Sequence, residues 1–312
     1  MTIACVFPGQ GSQKVGMGKA LADAFVESRS AFDEVDDALG IPLSRLCFEG
    51  PEKDLQLTAN TQPAILATSI AAWRALAAHG IRPAFVAGHS LGEYSALVAA
   101  GAIGLADAAI AVRRRGQYMQ EAVPVGMGAM AAILGLDLPA VEAACREAAQ
   151  GQVVSPANIN SPGQVVIAGH RQAVDRASAL AKAAGAKRTV PLPVSAPFHC
   201  ALMAPAKERL ARDLASVAFR DPEVPLVNNV DALVIRTADD CREGLVRQVS
   251  APVRWLEVVE TLAREGVDTV IEVGPGTVLS GLVKKIDKGL RVWNVEDPAS
   301  LEAARPALAE AR

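Results

Sequence analysis

Gly88-His89-Ser90-Leu91-Gly92-Glu93 is the stretch from which the rest of the chain is read. Phe85-Val86-Ala87 before it is short and apolar, like the end of a buried strand, and Ser95-Ala96-Leu97-Val98-Ala99-Ala100 after it favours a helix. Gly-x-Ser-x-Gly between a strand and a helix reads as a nucleophile elbow. The glycine spacing has a steric reason: a side chain at position 88 or 92 would collide with the neighbouring strand or helix. The tight turn lifts the Ser90 hydroxyl clear of the sheet. It also leaves the Leu91 N–H unpaired at a helix N-terminus, where it can stabilise an oxyanion. The alternative is a glycine-rich turn carrying a solvated serine.

Working outward, Ile3 to Phe7 forms a short buried strand that ends in Pro8-Gly9-Gln10-Gly11-Ser12-Gln13. This loop lacks the Lys-Ser/Thr of a phosphate-binding P-loop. It reads either as an ordinary turn or as a place where glycines let backbone and Gln10 approach a reacting group. Helical patterns cover Gly18–Ala38, Gln62–His79 and Leu105–Gln120. On the last, at about 100° per residue, Leu105, Ala108, Ala109, Val112, Gly116 and Met119 make one apolar stripe. Arg114 points away from it, Arg113 lies to one side and Arg115 borders it. A guanidinium beside a buried face needs an anion, and its fork suits a carboxylate. A structural salt bridge to an Asp or Glu of this chain meets the same need.

From Pro124 the texture changes. Strands at Met127–Leu134, Val153–Asn158, Gln164–Ala168 and Arg188–Val194 alternate with helices at Leu138–Ala149 and Gln172–Ala184, with a hairpin turn at Asn160-Ser161-Pro162-Gly163. That βαββαβ order defines a ferredoxin-like unit. The expected fold is therefore α/β, an α/β-hydrolase-like large domain (1–123 and 195–312) with a small ferredoxin-like domain (124–194) inserted. The chain re-enters the large domain at Ser195-Ala196-Pro197-Phe198-His199. It continues through a helix at Leu202–Val217 and strands at Pro225–Asn228, Thr269–Val273 and Arg291–Val295, and ends in a surface helix from Pro298.

The chain has 312 residues, 51% of them hydrophobic, and a net charge of -3. Its mean hydropathy is +0.23 and its pI about 5.9. It can bury a large core, and nothing in its charge points to nucleic acid or an anionic membrane. The five cysteines (Cys5, Cys47, Cys145, Cys200, Cys241) are odd in number and lack CxxC spacing. They read as reduced thiols of a cytoplasmic protein without a metal site. No signal peptide or membrane span is expected: the N-terminus has no basic region, and the apolar span Ser95 to Val112 is cut by Gly101, Gly104 and Asp107.

A serine needs a base. Of the four histidines, His79 reads as a helix-end cap, His89 is aimed sideways from Ser90, and His170 ends a surface strand. His199 follows the serine in the chain, as the base does in α/β-hydrolases, although a packed crossover histidine fits it too. No Asp or Glu declares itself as a third member, so a backbone carbonyl is left to fix the tautomer.

Gly9-Gln10-Gly11-Ser12-Gln13, the Ser90 motif, Arg115-Gly116, Phe198-His199 and Gln248, in that order, closely resemble the malonyl-CoA:acyl carrier protein transacylases of type II fatty acid synthesis. The resemblance spans essentially the whole chain. It implies Ser90 as the nucleophile that carries malonate as an ester and His199 as its base, with the Gln248 backbone carbonyl on the other imidazole nitrogen. It further implies an oxyanion hole from the Gln10 and Leu91 N–H groups and Arg115 as the clamp on the malonyl carboxylate. Leu91 and Phe198 match the pattern that accompanies malonyl rather than methylmalonyl choice in related modular acyltransferases.

The substrates implied are malonyl-CoA and holo acyl carrier protein, with no cofactor or metal, and a monomer is expected. Three rivals remain: a serine (thio)esterase using water; the same transfer serving a polyketide or malonate decarboxylase carrier; and a silent docking module, its basic cluster being Lys284, Lys285, Lys288 and Arg291.

Overall fold

The computed structural model describes residues 1–194 and 196–309. Ser195, the expected point of re-entry into the large domain, and residues 310–312 lie outside the described residues. Ten strands are described: β1 (Ile3–Phe7), β2 (Phe85–Gly88), β3 (Gly128–Leu134), β4 (Val154–Ser161), β5 (Gln164–His170), β6 (Arg188–Pro191), β7 (Leu226–Val227), β8 (Val234–Ile235), β9 (Thr269–Val273) and β10 (Arg291–Val295).

They form two sheets. The first has the order β10-β9-β1-β2-β7-β8, parallel except for the β7–β8 pair. Every residue of β1, β2 and β9 is buried. This is why they read as almost wholly apolar runs, Thr269 and Glu272 of β9 excepted: a central parallel strand is covered on both faces. The second has the order β4-β5-β3-β6 and is antiparallel throughout. With helices Leu138–Ala149 and Arg171–Ala183 between its strands, it has ferredoxin-like topology and its own apolar core around Ile133, Val141, Ile167 and Val174. No described helix is long and apolar enough to cross a membrane.

The β1–β2 register pairs Phe7 with Gly88. The loop after β1 and the elbow after β2 therefore leave the same edge side by side, at the carboxyl ends where parallel sheets hold their ligands.

Several boundaries differ from the sequence reading. The helix expected over 18–38 is two, Lys19–Ala24 and Val26–Leu39, because Phe25 is extended (φ -130°, ψ 127°) and packs edge-on to His79. The helix expected from Gln62 begins at Thr58 despite Pro63. Asn60 and Thr61 bond back to the Asp54 and Leu55 carbonyls and tie down the first turn, which places Gln62 inside the helix.

Strand β4 runs three residues further than its polar sequence indicates. Its outer edge pairs with the segment before Trp255: the Ile159 N–H donates to the Val253 carbonyl (2.9 Å) and the Val253 N–H to that of Ala157 (2.9 Å). The hairpin turn shrinks to Pro162-Gly163 accordingly. Strand β6 stops at Pro191, leaving Leu192 and Val194 in irregular chain. The terminal helix, Pro298–Ala309, is a surface helix as expected, burying Leu301 and Ala304 on one face and exposing Glu302 and Arg305 on the other.

Candidate active site

The elbow is fixed by backbone collisions. A Cβ on Gly88 would lie 1.9 Å from the Gly92 carbonyl carbon, and one on Gly92 would lie 2.0 Å from the Phe7 oxygen. Neither distance can be relieved by moving a side chain. Ser90 sits in the left-handed region at φ 53°, a strain on the order of 1–3 kcal/mol that persists only where surrounding contacts over-determine it. They do so here. The Ser90 N–H donates to Asn229 Oδ1 (2.7 Å), Asn229 Nδ2 donates to the Gly88 carbonyl (2.6 Å), and Gln248 Nε2 donates to the Ser90 carbonyl (2.9 Å).

His199 comes from the far side of the sequence, also at positive φ (58°). Its Nε2 lies 2.7 Å from Ser90 Oγ and its Nδ1 lies 2.9 Å from the Gln248 carbonyl oxygen. That carbonyl is free to accept because Gln248 is the last residue of helix Ala238–Gln248, where helical carbonyls run out of partners. With Nδ1–H donating there, Nε2 presents its lone pair to the serine hydroxyl. Burial, and then the Arg115 charge, push the imidazole down to about 3, so the resting ring is neutral.

Arg115 is buried, 1% exposed. Its Nη1 donates to Gln62 Oε1 (2.8 Å), and its Nη2 donates to Gln248 Oε1 (2.8 Å) and Ser90 Oγ (3.1 Å). Its Nε has no partner. Among the described residues Arg115 forms no ion pair, which removes the salt-bridge alternative. What remains is a buried guanidinium with uncommitted donors beside a nucleophile, an arrangement that is costly unless an anion arrives.

A cavity of about 110 Å³ joins these groups, lined among others by Gln10, Ser90, Leu91, Arg115, Phe198 and His199. The Leu91 and Gln10 N–H groups have no hydrogen-bond partner among the described residues, and Leu91 precedes the helix Gly92–Ala99. Gly9 brings the Gln10 loop against the elbow: a Cβ there would lie 2.4 Å from the His89 oxygen.

The remaining histidines are engaged elsewhere. His79 Nδ1 bonds the Ala75 carbonyl, His170 Nδ1 accepts from the Val153 N–H, and His89 Nε2 meets Asn160 Oδ1 (2.9 Å). The structure thus brings Gln10, Ser90, Leu91, Arg115, Phe198, His199 and Gln248 together.

Three residues given no part by the sequence reading also belong to this site. Gln62 grips Arg115 together with the side chain of Gln248, while Asn229 and Glu93 brace the elbow. Their contacts join residues 53 to 155 positions apart, which no local pattern displays. Only Glu93, inside the Ser90 motif, lay in view. The basic residues Lys284, Lys285, Lys288 and Arg291 line none of this cavity; Lys285 bonds Gln164 and Arg291 pairs with Asp268. Among the described residues no cluster of three or more His, Cys, Asp or Glu side chains is arranged to hold a metal.

A strained serine at an elbow, a histidine on it and a free buried arginine beside it define an acyl-transferring site. Residues 4–306 match the family model described as the acyl transferase domain, and the chain belongs to that family. It is 54% identical over 302 residues to a malonyl CoA-acyl carrier protein transacylase of Escherichia coli O157:H7, covering 96% of this chain and 98% of that one. Among solved structures it resembles an acyl carrier protein S-malonyltransferase from Vibrio cholerae (TM-score 0.96, 52% identity, 97% of this chain and 100% of that one). It equally resembles a malonyl-transacylase in complex with a type II PKS acyl-carrier protein (TM-score 0.96, 52% identity, 98% and 100%).

Proposed function

We propose that this chain moves a malonyl group from malonyl-CoA to the phosphopantetheine thiol of an acyl carrier protein, as the acyltransferase of fatty acid synthesis. One observation carries the reading: Ser90 Oγ lies between His199 Nε2 at 2.7 Å and the unpaired, buried Arg115 at 3.1 Å. A hydrolase of neutral esters needs the first contact and gains nothing from the second.

In the first half-reaction, Ser90 Oγ attacks the thioester carbonyl while its proton passes to His199 Nε2. The oxyanion is held by the Gln10 and Leu91 N–H groups, and the C–S bond breaks with the proton delivered to the leaving CoA sulfur. In the second, the carrier thiol gives its proton to His199 and attacks the malonyl-Ser90 ester. The Ser90 oxygen leaves and is reprotonated. Both steps pass through an oxyanion at one position, and losing one such donor costs about 2.7–4 kcal/mol. Nucleophile, base and oxyanion donors are all the protein's own, so the cycle balances without a cofactor or metal.

Arg115 acts twice in this scheme. It orients the acyl group by its free carboxylate, beside Phe198, and it sets the base. Since its charge helps depress His199, pairing with the malonyl carboxylate relieves that depression and makes the imidazole a better base when the right substrate is bound.

We read residues 124–194 as a unit inserted between 1–123 and 195–312, supported by the sorting of β3 to β6 into one sheet and the other strands into the second. A cytoplasmic setting is supported by five unpaired, buried cysteines.

Incubation with malonyl-CoA, intact mass and a peptide map test the proposal. The expected result is a malonyl adduct on Ser90, discharged by carrier thiol faster than by water and absent in Ser90→Ala, whose transfer rate falls on the order of 10⁶-fold. An adduct that survives in Ser90→Ala, or release of free malonate that dominates with carrier present, overturns it. Discharge rates with fatty-acid and polyketide carriers then separate the two possible carrier partners.

A further inference from the structure

We propose that Glu93 is a positioning residue for malonyl selection: its carboxylate holds the Gln248 amide in the one orientation that presents an oxygen to Arg115. The inference deepens the malonyl-transfer reading and rests on it.

Glu93 is fully buried in the first turn of the helix after the elbow. Its Oε2 accepts from Gln248 Nε2 (2.7 Å) and from the Asn229 N–H (3.1 Å), while its Oε1 is buried without a partner. Packing alone does not call for such a group, since a buried, half-satisfied carboxylate is costly.

The Gln248 amide has two unlike ends. With Nε2 engaged by Glu93 and by the Ser90 carbonyl, Oε1 has to face Arg115 Nη2, where it accepts at 2.8 Å. Turned over, the amide sets donor against donor at the guanidinium and oxygen against oxygen at Glu93. Among the described residues Gln62 Oε1 is the only other amide oxygen on Arg115, so losing the Gln248 contact leaves Nη2 with the Ser90 hydroxyl alone and the guanidinium plane less firmly held. Among the described residues Glu93 forms no hydrogen bond or ion pair with Arg115 or Ser90 Oγ; its charge acts on Arg115 across the gap, and its hydrogen-bonded route to it runs through Gln248. The same residue's backbone carbonyl fixes His199, but a carbonyl held by its helix is indifferent to which way the amide faces. Malonyl selection should therefore suffer more than Ser90–His199 chemistry on an uncharged acyl group.

The test compares the chain with Glu93→Met, Glu93→Asp and Glu93→Gln. The readout is the ratio of Ser90 acylation rates from malonyl-CoA and acetyl-CoA, followed by intact mass, with the thermal midpoint reporting on folding. Glu93→Met, which removes the acceptor, is expected to lower the malonyl-to-acetyl ratio about tenfold, the acetyl rate falling less than the malonyl rate because Glu93 also braces the elbow. Glu93→Asp, which withdraws the oxygens by one methylene, lowers the ratio less. Glu93→Gln keeps an oxygen for both donors and retains most of it. Placed on Arg115→Ala, Glu93→Met produces no further fall.

An unchanged ratio in folded Met or Asp variants overturns the inference, as does an equal fall on the Arg115→Ala background. So does a Gln variant as unselective as Arg115→Ala, an arm that stands even where the Met variant does not fold. Absence of any malonyl adduct in the unaltered chain sinks the transfer reading and this inference with it. An adduct whose ratio none of these variants moves sinks the inference alone.

Discussion

Toward the shared cavity the parallel sheet and its helices turn Gln10, Ser90, Leu91 and Arg115, while the antiparallel sheet and the chain leaving it turn Met130, Asn158, Leu192 and Val194. The first set carries the groups proposed as nucleophile, anion clamp and oxyanion donors; the second is mostly apolar wall. Their anchoring differs in the same sense. Ser90 is held by glycine contacts that no side chain can relieve, by its N–H donating to Asn229 and by Gln248 donating to its carbonyl. The antiparallel sheet has a core of its own under its helices, packs Met130, Ala157, Val166 and Ala168 into the main core, and meets the catalytic part again through the Val253 pairing and the His89–Asn160 bond. Reacting atoms need sub-ångström placement, whereas a wall only has to exclude water and shape a volume.

That contrast can be broken from either side. Gly92→Ala drives a Cβ into the Phe7 carbonyl. Acylation of Ser90 is expected to fall about 10²-fold or more, measured as malonyl adduct per folded molecule, and an undisturbed rate would mean that the elbow yields. Arg115→Ala comes next. Removing one side of a buried charge contact costs about 2–5 kcal/mol, so malonyl-over-acetyl preference should drop roughly 30-fold or more. An unchanged preference returns Arg115 to a structural role.

The same variant tests the base. His199 is held at about 3 by burial and then by Arg115, against about 6.5 in an unfolded chain. The unfolded state therefore binds a proton first, and this group's contribution to stability is lost as pH falls through that window. NMR should show a His199 ring that does not titrate above about pH 5 in the unaltered chain, with a higher pKa in Arg115→Ala. A ring that titrates normally in both removes the substrate-assisted base. The smallest effect belongs to the wall: Leu192→Ala should change the malonyl-transfer rate by no more than about threefold, and a larger loss would give the antiparallel sheet a positioning role.

Legibility in the sequence follows the same division. The elbow could be read because five consecutive residues carry its geometry, and Arg115 because a helical wheel exposes a charge on the edge of an apolar stripe. The βαββαβ order was legible as well, since each strand and helix has its own period. Strand β4 was read short because Asn160-Ser161-Pro162-Gly163 looks like a turn; Asn160 and Ser161 are strand residues, and the Asn160 side chain meets His89. The break at Phe25 was hidden because the helical period continues across it, and only packing against His79 turns the chain there.

By itself the sequence determined the α/β class, the strained serine and the need for an anion near Arg115, because each depends on neighbours within one or two turns. The tertiary structure alone decided that, among the described residues, no carboxylate comes within ion-pair distance of Arg115. It also decided that the Gln248 carbonyl sits on His199 and that Glu93, Asn229 and Gln62 brace the site. Those contacts close loops of 49 to 155 residues, and such distances in sequence acquire a geometry only when the whole core packs.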